Sequence, residues 1–198
     1  MNYLLLALSY LLGATPTSYW VGKVFHGMDL REHGSGNLGA TNTFRILGLK
    51  WAIPVMAVDI AKGFIPVWFF PRITGAALSW TLAFGVMAIL GHMFSLWVGF
   101  KGGKGVATST GVFLALAPWA VLGGFVIWAA VTFTTRYVSL GSMAAAVSLV
   151  PLVWLTPHSG GDAVVGFTAF MAALIVWAHR SNIRRLLRGE ENRFGKKA

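Results

Sequence analysis

The chain has 198 residues, of which 56% are hydrophobic and only 11% charged, and its formal net charge at neutral pH is +10. So apolar a composition excludes an ordinary soluble domain, and the absence of cysteine excludes disulfides, thiolate metal sites and cysteine nucleophiles. The composition therefore predicts an integral membrane protein whose basic residues flank membrane spans and headgroups rather than bind nucleic acid.

Six apolar runs follow one another along the chain, and five of them have a length suited to one membrane crossing. The fourth run is long for one span and short for two, and Pro118 near its middle would break or kink a helix. The N-terminal run lacks the basic leader of a signal peptide, so we predict that it is retained as a span. The runs lie at about residues 3–22, 51–70, 78–98, 106–133, 138–155 and 162–179.

A break at Ala117–Pro118 gives seven spans, with one short helix at about 104–117 and the N-terminus outside. This arrangement places 14 of the 16 basic residues on the cytoplasmic side, as the positive-inside rule requires, whereas an unsplit run would carry the basic tail across the membrane. We therefore predict an all-α polytopic membrane protein with a cytoplasmic C-terminus and a single domain over residues 1–198. The cytoplasmic segments are then 23–50, 99–105, 135–137 and 179–198.

The first polar segment, residues 34–42, reads Gly-Ser-Gly-Asn-Leu-Gly-Ala-Thr-Asn and is followed by Arg45. Its glycines let backbone amides approach a ligand closely, and its hydroxyl and amide side chains suit phosphate oxygens. Arg45 is predicted on the first turn of a following helix, where it would face an anion. The alternative is a solvated loop with caps at both ends.

The second polar segment, residues 91–108, contains Lys-Gly-Gly-Lys-Gly at positions 101–105, directly before the predicted short helix. Backbone N–H groups and Lys104 would then lie at a helix N-terminus, which is an anion site. It is not a nucleotide-binding P-loop, because it is one residue short and lacks the Ser or Thr that would ligate magnesium. Positive-inside topology alone explains the lysines but not the glycines.

The third polar segment, residues 179–191, continues the last span. As a helix it would place His179, Asn182 and Leu186 on one face, with Arg185 close by. The alternative is a basic tail that touches lipid headgroups. Glu190 is predicted to pair with a nearby arginine or lysine rather than to act as a catalyst.

Two charged residues, Asp59 and Lys62, lie three positions apart inside the second span, which is the spacing of a buried ion pair. Intramembrane charges often mark a functional site, but we favour a structural pair here. The remaining histidines form no ligand pattern, and no metal site is predicted.

Together, the stretches 35–42, 91–97 with 101–105, and 179–190 resemble the three cytoplasmic motifs of the PlsY family of bacterial acyl-phosphate:glycerol-3-phosphate acyltransferases. This resemblance runs from the first span to the tail. It implies transfer of an acyl group from acyl phosphate to the 1-hydroxyl of glycerol 3-phosphate, which yields lysophosphatidic acid and phosphate. It also implies a location in the bacterial inner membrane, an active site on the cytoplasmic side and no cofactor.

The residues of these motifs have predicted roles. No H-x-x-x-x-D motif is present, so a substrate phosphate oxygen is predicted to take the hydroxyl proton, with His92 or His179 as the alternative base. The predicted catalytic residues are Ser35, Arg45, His92, Lys104, His179 and Asn182. The predicted phosphate contacts are Gly36, Asn37, Thr41, Asn42, Lys101, Gly102, Gly103, Gly105, Thr108 and Arg185, and the predicted structural residues are Asp59, Lys62 and Glu190.

Two other functions fit a small helical membrane protein. A CDP-alcohol phosphotransferase needs a cluster of aspartates for a divalent metal, whereas the three aspartates of this chain are far apart in sequence. A transporter or channel for phosphate-bearing anions predicts internal repeats and broken helices at the bilayer midplane. We find no repeat, and the polar motifs fall on one face of the membrane.

Overall fold

The computed structural model describes residues 1–195, and all regular structure in this part of the chain is helical. This confirms the predicted all-α fold class. Lys196 and Lys197, which the charge rule assigns to the cytoplasmic side, lie outside the described residues. The chain divides into two compact units, the first from Met1 to Ala115 and the second beginning at Leu116. A single domain over the whole chain stays a prediction.

The first unit contains a bent N-terminal helix, two long helices and two shorter ones. Proline at position 16 cannot donate a backbone hydrogen bond, and the chain bends there by 41°. The elements are α1 (Asn2–Ala14), α2 (Thr17–Trp20) with a π-helical continuation (Val21–Phe25), α3 (Ala40–Leu47), α4 (Leu49–Thr74), α5 (Leu78–Met93), a 3₁₀ turn (Leu96–Val98) and α6 (Val106–Leu116).

The second unit consists of three long helices and a short basic one. Its core includes Val153, Val164 and Met171, all buried. The elements are α7 (Pro118–Thr135), α8 (Val138–Leu155), α9 (Gly161–Ala178) and α10 (Arg180–Leu187).

The predicted break of the fourth apolar run is confirmed, because α6 ends at Leu116 and α7 begins at Pro118. Proline is favoured at this first helical position, where its missing N–H would have no partner within the helix. Since α6 has only 11 residues, it is too short to cross a bilayer by itself.

Five helices in the described part are long and apolar enough to cross a membrane, and the bent N-terminal pair can form a sixth span. The short α6 would be the seventh membrane element. These lengths agree with an integral membrane protein, while the count of seven and the orientation of the termini stay predictions.

Glycines bring the helices of the first unit into close backbone contact. A Cβ added at Gly13 would overlap the backbone of Ala88, and one added at Gly91 would overlap the carbonyl of Tyr10, so α1 and α5 pack closely. A Cβ at Gly63 would likewise overlap the carbonyl of Thr108, which places the start of α6 directly against α4. The short helix is therefore packed against protein, as a short helix at membrane depth requires.

Candidate active site

The first polar loop is fixed at its beginning by an Asp-Arg pair that sequence reasoning missed. Arg31 Nη2 lies 2.7 Å from Asp29 Oδ2, and Arg31 Nη1 donates to the carbonyl of Val98 at 3.3 Å. The hydrogen bond from Arg31 lowers the pKa of the Asp29 carboxyl to about 2. Because Val98 follows α5, this pair ties the first loop to the chain that leads into the second.

Asn42 holds the middle of the first loop together. Its Oδ1 accepts a hydrogen bond from the backbone N–H of Ser35 at 2.9 Å, and its Nδ2 donates to the carbonyls of Leu30 and His33, each at 3.0 Å. The side chain is buried and its donors are used within the loop. The Asn42 amide therefore shapes the loop around Ser35, and direct contact of Asn42 with phosphate stays a prediction.

The helix after this loop begins earlier than predicted. Because α3 starts at Ala40, Asn42 lies on its first turn and Arg45 on its second. The prediction of Arg45 on the first turn is therefore wrong by one turn. The small residues of the motif supply that first turn, which the sequence pattern treated as loop.

Two glycines of the first loop have left-handed backbone conformations, with φ of 63° at Gly34 and 69° at Gly36. A Cβ at Gly34 would overlap Asn42 Oδ1, and one at Gly36 would lie 3.0 Å from the carbonyl of Arg31. Glycine is therefore needed here for the fold of the loop itself. Of the other predicted contacts, Asn37 is half-buried and Thr41 is exposed.

The second polar loop packs back onto the end of α5. The backbone N–H groups of Gly102 and Gly103 donate to the carbonyls of Met93 and His92, both at 3.0 Å. These two amides therefore satisfy C-terminal carbonyls of α5, and contact of Gly102 and Gly103 with phosphate stays a prediction. Lys101 is exposed and Lys104 is half-buried.

Backbone amides without a helical acceptor lie one step further along the chain, at the start of α6. Gly105, with φ of 81°, precedes α6, and its carbonyl accepts from the N–H of Ser109 at 2.7 Å. The first three N–H groups of α6, at residues 106–108, have no acceptor within their helix. The Thr108 hydroxyl is fully buried and has no hydrogen-bond partner among the described residues.

The two loops meet at Gly103. A Cβ at this position would overlap both Nε2 of His92 and the carbonyl of Leu38, so the His92 ring and the first loop both lie against the glycine. His92 itself is buried, with its Nδ1 3.9 Å from Asp59 Oδ1. The structure thus brings the first and second motifs together within the first unit.

The third motif lies in the second unit. His179 separates α9 from α10, is buried, and its Nδ1 lies 2.8 Å from the carbonyl oxygen of Ile175. Asn182 Nδ2 donates to Glu191 Oε1 at 2.6 Å, and Arg185 Nε donates to Glu191 Oε2 at 2.7 Å. The motif's amide and one of its arginines are therefore organised around a single carboxylate.

That carboxylate belongs to Glu191, whereas we predicted the ion pair for Glu190. Ser139 Oγ also donates to Glu191 Oε1 at 2.8 Å, which links the segment after α10 to the first turn of α8. Glu190 is exposed and forms no ion pair within residues 1–195. Burial raises the pKa of Glu191, but the hydrogen bonds from Asn182, Ser139 and Arg185 together hold that pKa below its ordinary value.

Asp59 and Lys62 form the ion pair that their spacing suggested, with 2.7 Å between Asp59 Oδ1 and Lys62 Nζ. Residues 1–195 contain no group of three or more His, Cys, Asp or Glu side chains able to hold a metal ion.

Comparison with known proteins places this architecture in a family. The model of the glycerol-3-phosphate acyltransferase family matches residues 3–189. Proteins named glycerol-3-phosphate acyltransferase from Syntrophotalea carbinolica and Geobacter sulfurreducens are 41% and 43% identical to the chain, over 97% and 98% of both partners.

Solved structures are similar over nearly the whole chain. The crystal structure of PlsY, an integral membrane glycerol 3-phosphate acyltransferase, in its glycerol 3-phosphate form has a TM-score of 0.91 and 39% identity, covering 98% of this chain and 96% of that one. The lysophosphatidic acid form has a TM-score of 0.87 and 37% identity, covering 98% and 95%. With this agreement in sequence and fold, the chain belongs to the glycerol-3-phosphate acyltransferase family.

Proposed function

We propose that this protein transfers an acyl group from acyl phosphate to the 1-hydroxyl of glycerol 3-phosphate and releases lysophosphatidic acid and inorganic phosphate. The observation that carries the proposal is the contact of two glycine-rich loops at Gly103, one leading to Arg45 and the other to Lys104. Both substrates carry phosphate, so a reaction between them needs cations and helix amides more than a nucleophile.

The reaction balances without a covalent enzyme intermediate. The glycerol hydroxyl oxygen forms an ester bond with the acyl carbon, while the bond from that carbon to the phosphate oxygen breaks and phosphate leaves. The hydroxyl proton passes to a phosphate oxygen of a substrate, with His92 and His179 as the competing bases. An acyl phosphate is already activated, so positioning and charge stabilisation supply most of the remaining catalysis.

Each of the predicted catalytic residues has a place in this scheme. Lys104, the first amides of α6 and Arg45 hold substrate phosphate, and Ser35 contributes a hydroxyl beside the amide that Asn42 holds. His179 and Asn182 of the third motif stay predicted catalytic residues. The acyl donor arrives from the bilayer, and the active site faces the cytoplasm of a bacterial cell at its inner membrane.

Radiolabelled glycerol 3-phosphate tests the function against its two rivals. Purified protein in liposomes is expected to convert the label to a lipid-soluble product when an acyl phosphate such as palmitoyl phosphate is added. Conversion that requires a CDP-linked donor would instead indicate a phosphotransferase. Passage of unchanged label across the liposome membrane, without conversion, would indicate a transporter.

A further inference from the structure

A buried ion pair lies in the middle of the second predicted span, on α4. Asp59 and Lys62 are only 2% and 4% exposed. Removing two charges from water costs more than packing two apolar side chains of the same volume, and the cost is larger inside a membrane. A structural role alone therefore explains the pair poorly, because leucine or methionine would fill this space at less cost.

The pair is bonded to the bend between α1 and α2. Lys62 Nζ donates to the carbonyl of Thr15 at 3.0 Å, and Thr17 Oγ1 donates to Asp59 Oδ1 at 3.3 Å. The first bond satisfies the backbone carbonyl that precedes Pro16, and the second holds the hydroxyl of the residue that follows it. They fix the Asp59 carboxylate on the side of α1 and α2.

From that carboxylate the contacts continue to the second loop. His92 Nδ1 lies 3.9 Å from Asp59 Oδ1, and the other ring nitrogen of His92 faces Gly103. The carbonyl of His92 also accepts the hydrogen bond of the Gly103 N–H at 3.0 Å. One edge of the His92 ring thus lies beside the Asp59 carboxylate, at a distance longer than a hydrogen bond, and the other edge and the backbone of His92 contact the loop.

We propose that the Asp59–Lys62 pair positions the second polar loop for substrate phosphate and acts through His92. The pair orients the imidazole of His92. The imidazole and the backbone carbonyl of His92 then fix Gly103, and Gly103 sets the path of the chain through Lys104 into the first turn of α6. Asp59 and Lys62 are positioning residues in this scheme and do not touch the substrate. The inference rests on the proposed function, because it takes glycerol 3-phosphate as the bound anion.

The test removes both charges together, since a single substitution would leave the partner charge buried and unpaired. In the variant Asp59→Asn/Lys62→Met, we expect the dissociation constant and the KM for glycerol 3-phosphate to rise about tenfold while kcat changes less than about threefold. Val55→Ala is the matched control, because Val55 is buried one turn earlier on the same helix. It should lower the melting temperature through a cavity and leave the KM unchanged.

A double-mutant cycle with His92→Asn separates positioning from stability. If the pair acts through His92, its removal in the His92→Asn background should change the dissociation constant less than about twofold. Either an equal tenfold rise in both backgrounds, or a lower melting temperature with unchanged affinity, would overturn the proposal.

Two further measurements keep the test decisive. If the double variant does not fold, Thr17→Val replaces it in the test, because this substitution removes only the hydrogen bond to Asp59. Thr17→Val should weaken glycerol 3-phosphate binding by about two- to fivefold, and this effect should disappear in the His92→Asn background. Unchanged binding in Thr17→Val would then count against the proposal. Wild-type protein that binds glycerol 3-phosphate without acylating it would contradict the proposed function, while the ratio of dissociation constants would still decide the positioning role.

Discussion

Lys104 and Arg45 are the two cations that we expect to contact substrate phosphate directly. Each makes charge-assisted hydrogen bonds worth about 1.5–3 kcal/mol, so Lys104→Ala and Arg45→Ala should each lower kcat/KM by about ten- to a hundredfold or more. Lys50→Ala is the control, because Lys50 is an exposed cation at the start of α4. Steady-state kinetics on folded, detergent-purified variants checks the prediction, and near-normal turnover in both alanine variants would remove these residues from the site.

Glu191 is predicted to stabilise the second unit, whereas Glu190 is not. Glu191→Gln weakens hydrogen bonds to Ser139, Asn182 and Arg185 and should cost about 1–3 kcal/mol of stability at neutral pH. Because the pKa of Glu191 is lowered on folding, its contribution is present above about pH 4.5 and is lost as the pH falls through the lower folded-state value.

Thermal melting measured between neutral pH and pH 3 distinguishes the two glutamates. The wild type and Glu190→Gln should lose stability in parallel as the pH falls below about 4.5, whereas Glu191→Gln should start lower and lose less over that interval. Equal behaviour of the two variants would mean that the contacts of Glu191 do not stabilise the protein.

The positions of the motif residues could be predicted from sequence, but the partners of their polar groups could not. Glycine, serine and asparagine before an arginine indicate a phosphate loop because of their chemistry. Whether Asn42 faces a ligand or the carbonyls of Leu30 and His33 depends on how the loop folds back. Two adjacent glutamates, Glu190 and Glu191, are likewise equivalent in a sequence pattern, and only the direction of the chain after α10 distinguishes them.

Among the helices, α6 depends most on small residues. Gly63 of α4 and Gly111 of α6 both allow backbone contact between these two helices, since a Cβ at Gly111 would overlap the carbonyl of Ile60. We expect Gly63→Ala and Gly111→Ala to push the helices apart, lower the melting temperature and reduce activity, because α6 begins two residues after Lys104.

Gly166→Ala in α9 is the matched control, because an added Cβ there meets no atom within 4 Å. This substitution should leave stability unchanged or raise it by up to about 1 kcal/mol, since alanine has the higher helix propensity. If all three glycine variants melted at the same temperature, close packing of α4 and α6 would not be needed for stability.

The ends of α6 show what local chemistry decides and what it does not. Its C-terminal end was predictable because Pro118 cannot continue a helix and is favoured at the start of the next one. Its N-terminal end, at Val106, differs slightly from the predicted boundary, because the N–H groups of Gly102 and Gly103 bond back to α5. This bonding back to α5 is a tertiary contact, so the hydrophobic periodicity of the sequence could not predict it.

For the molecule as a whole, the positive-inside rule predicts on which side of the membrane each terminus lies. A reporter fused after Ala198 should be cytoplasmic, and one fused before Met1 should be outside, because this orientation keeps most basic residues inside. Alkaline phosphatase and green fluorescent protein fusions measure the two locations. If both reporters were found on the same side of the membrane, the prediction of seven spans and of all three motifs on one face would be wrong.

Two phosphate-bearing substrates are expected to react directly with each other in this protein. The most direct measurement follows lysophosphatidic acid and inorganic phosphate together, with purified protein, palmitoyl phosphate and labelled glycerol 3-phosphate. We predict that one phosphate is released for each lysophosphatidic acid formed, and that neither product appears when glycerol 3-phosphate is omitted. Phosphate release that is independent of glycerol 3-phosphate, or unchanged glycerol 3-phosphate in the presence of the acyl donor, would contradict the claim.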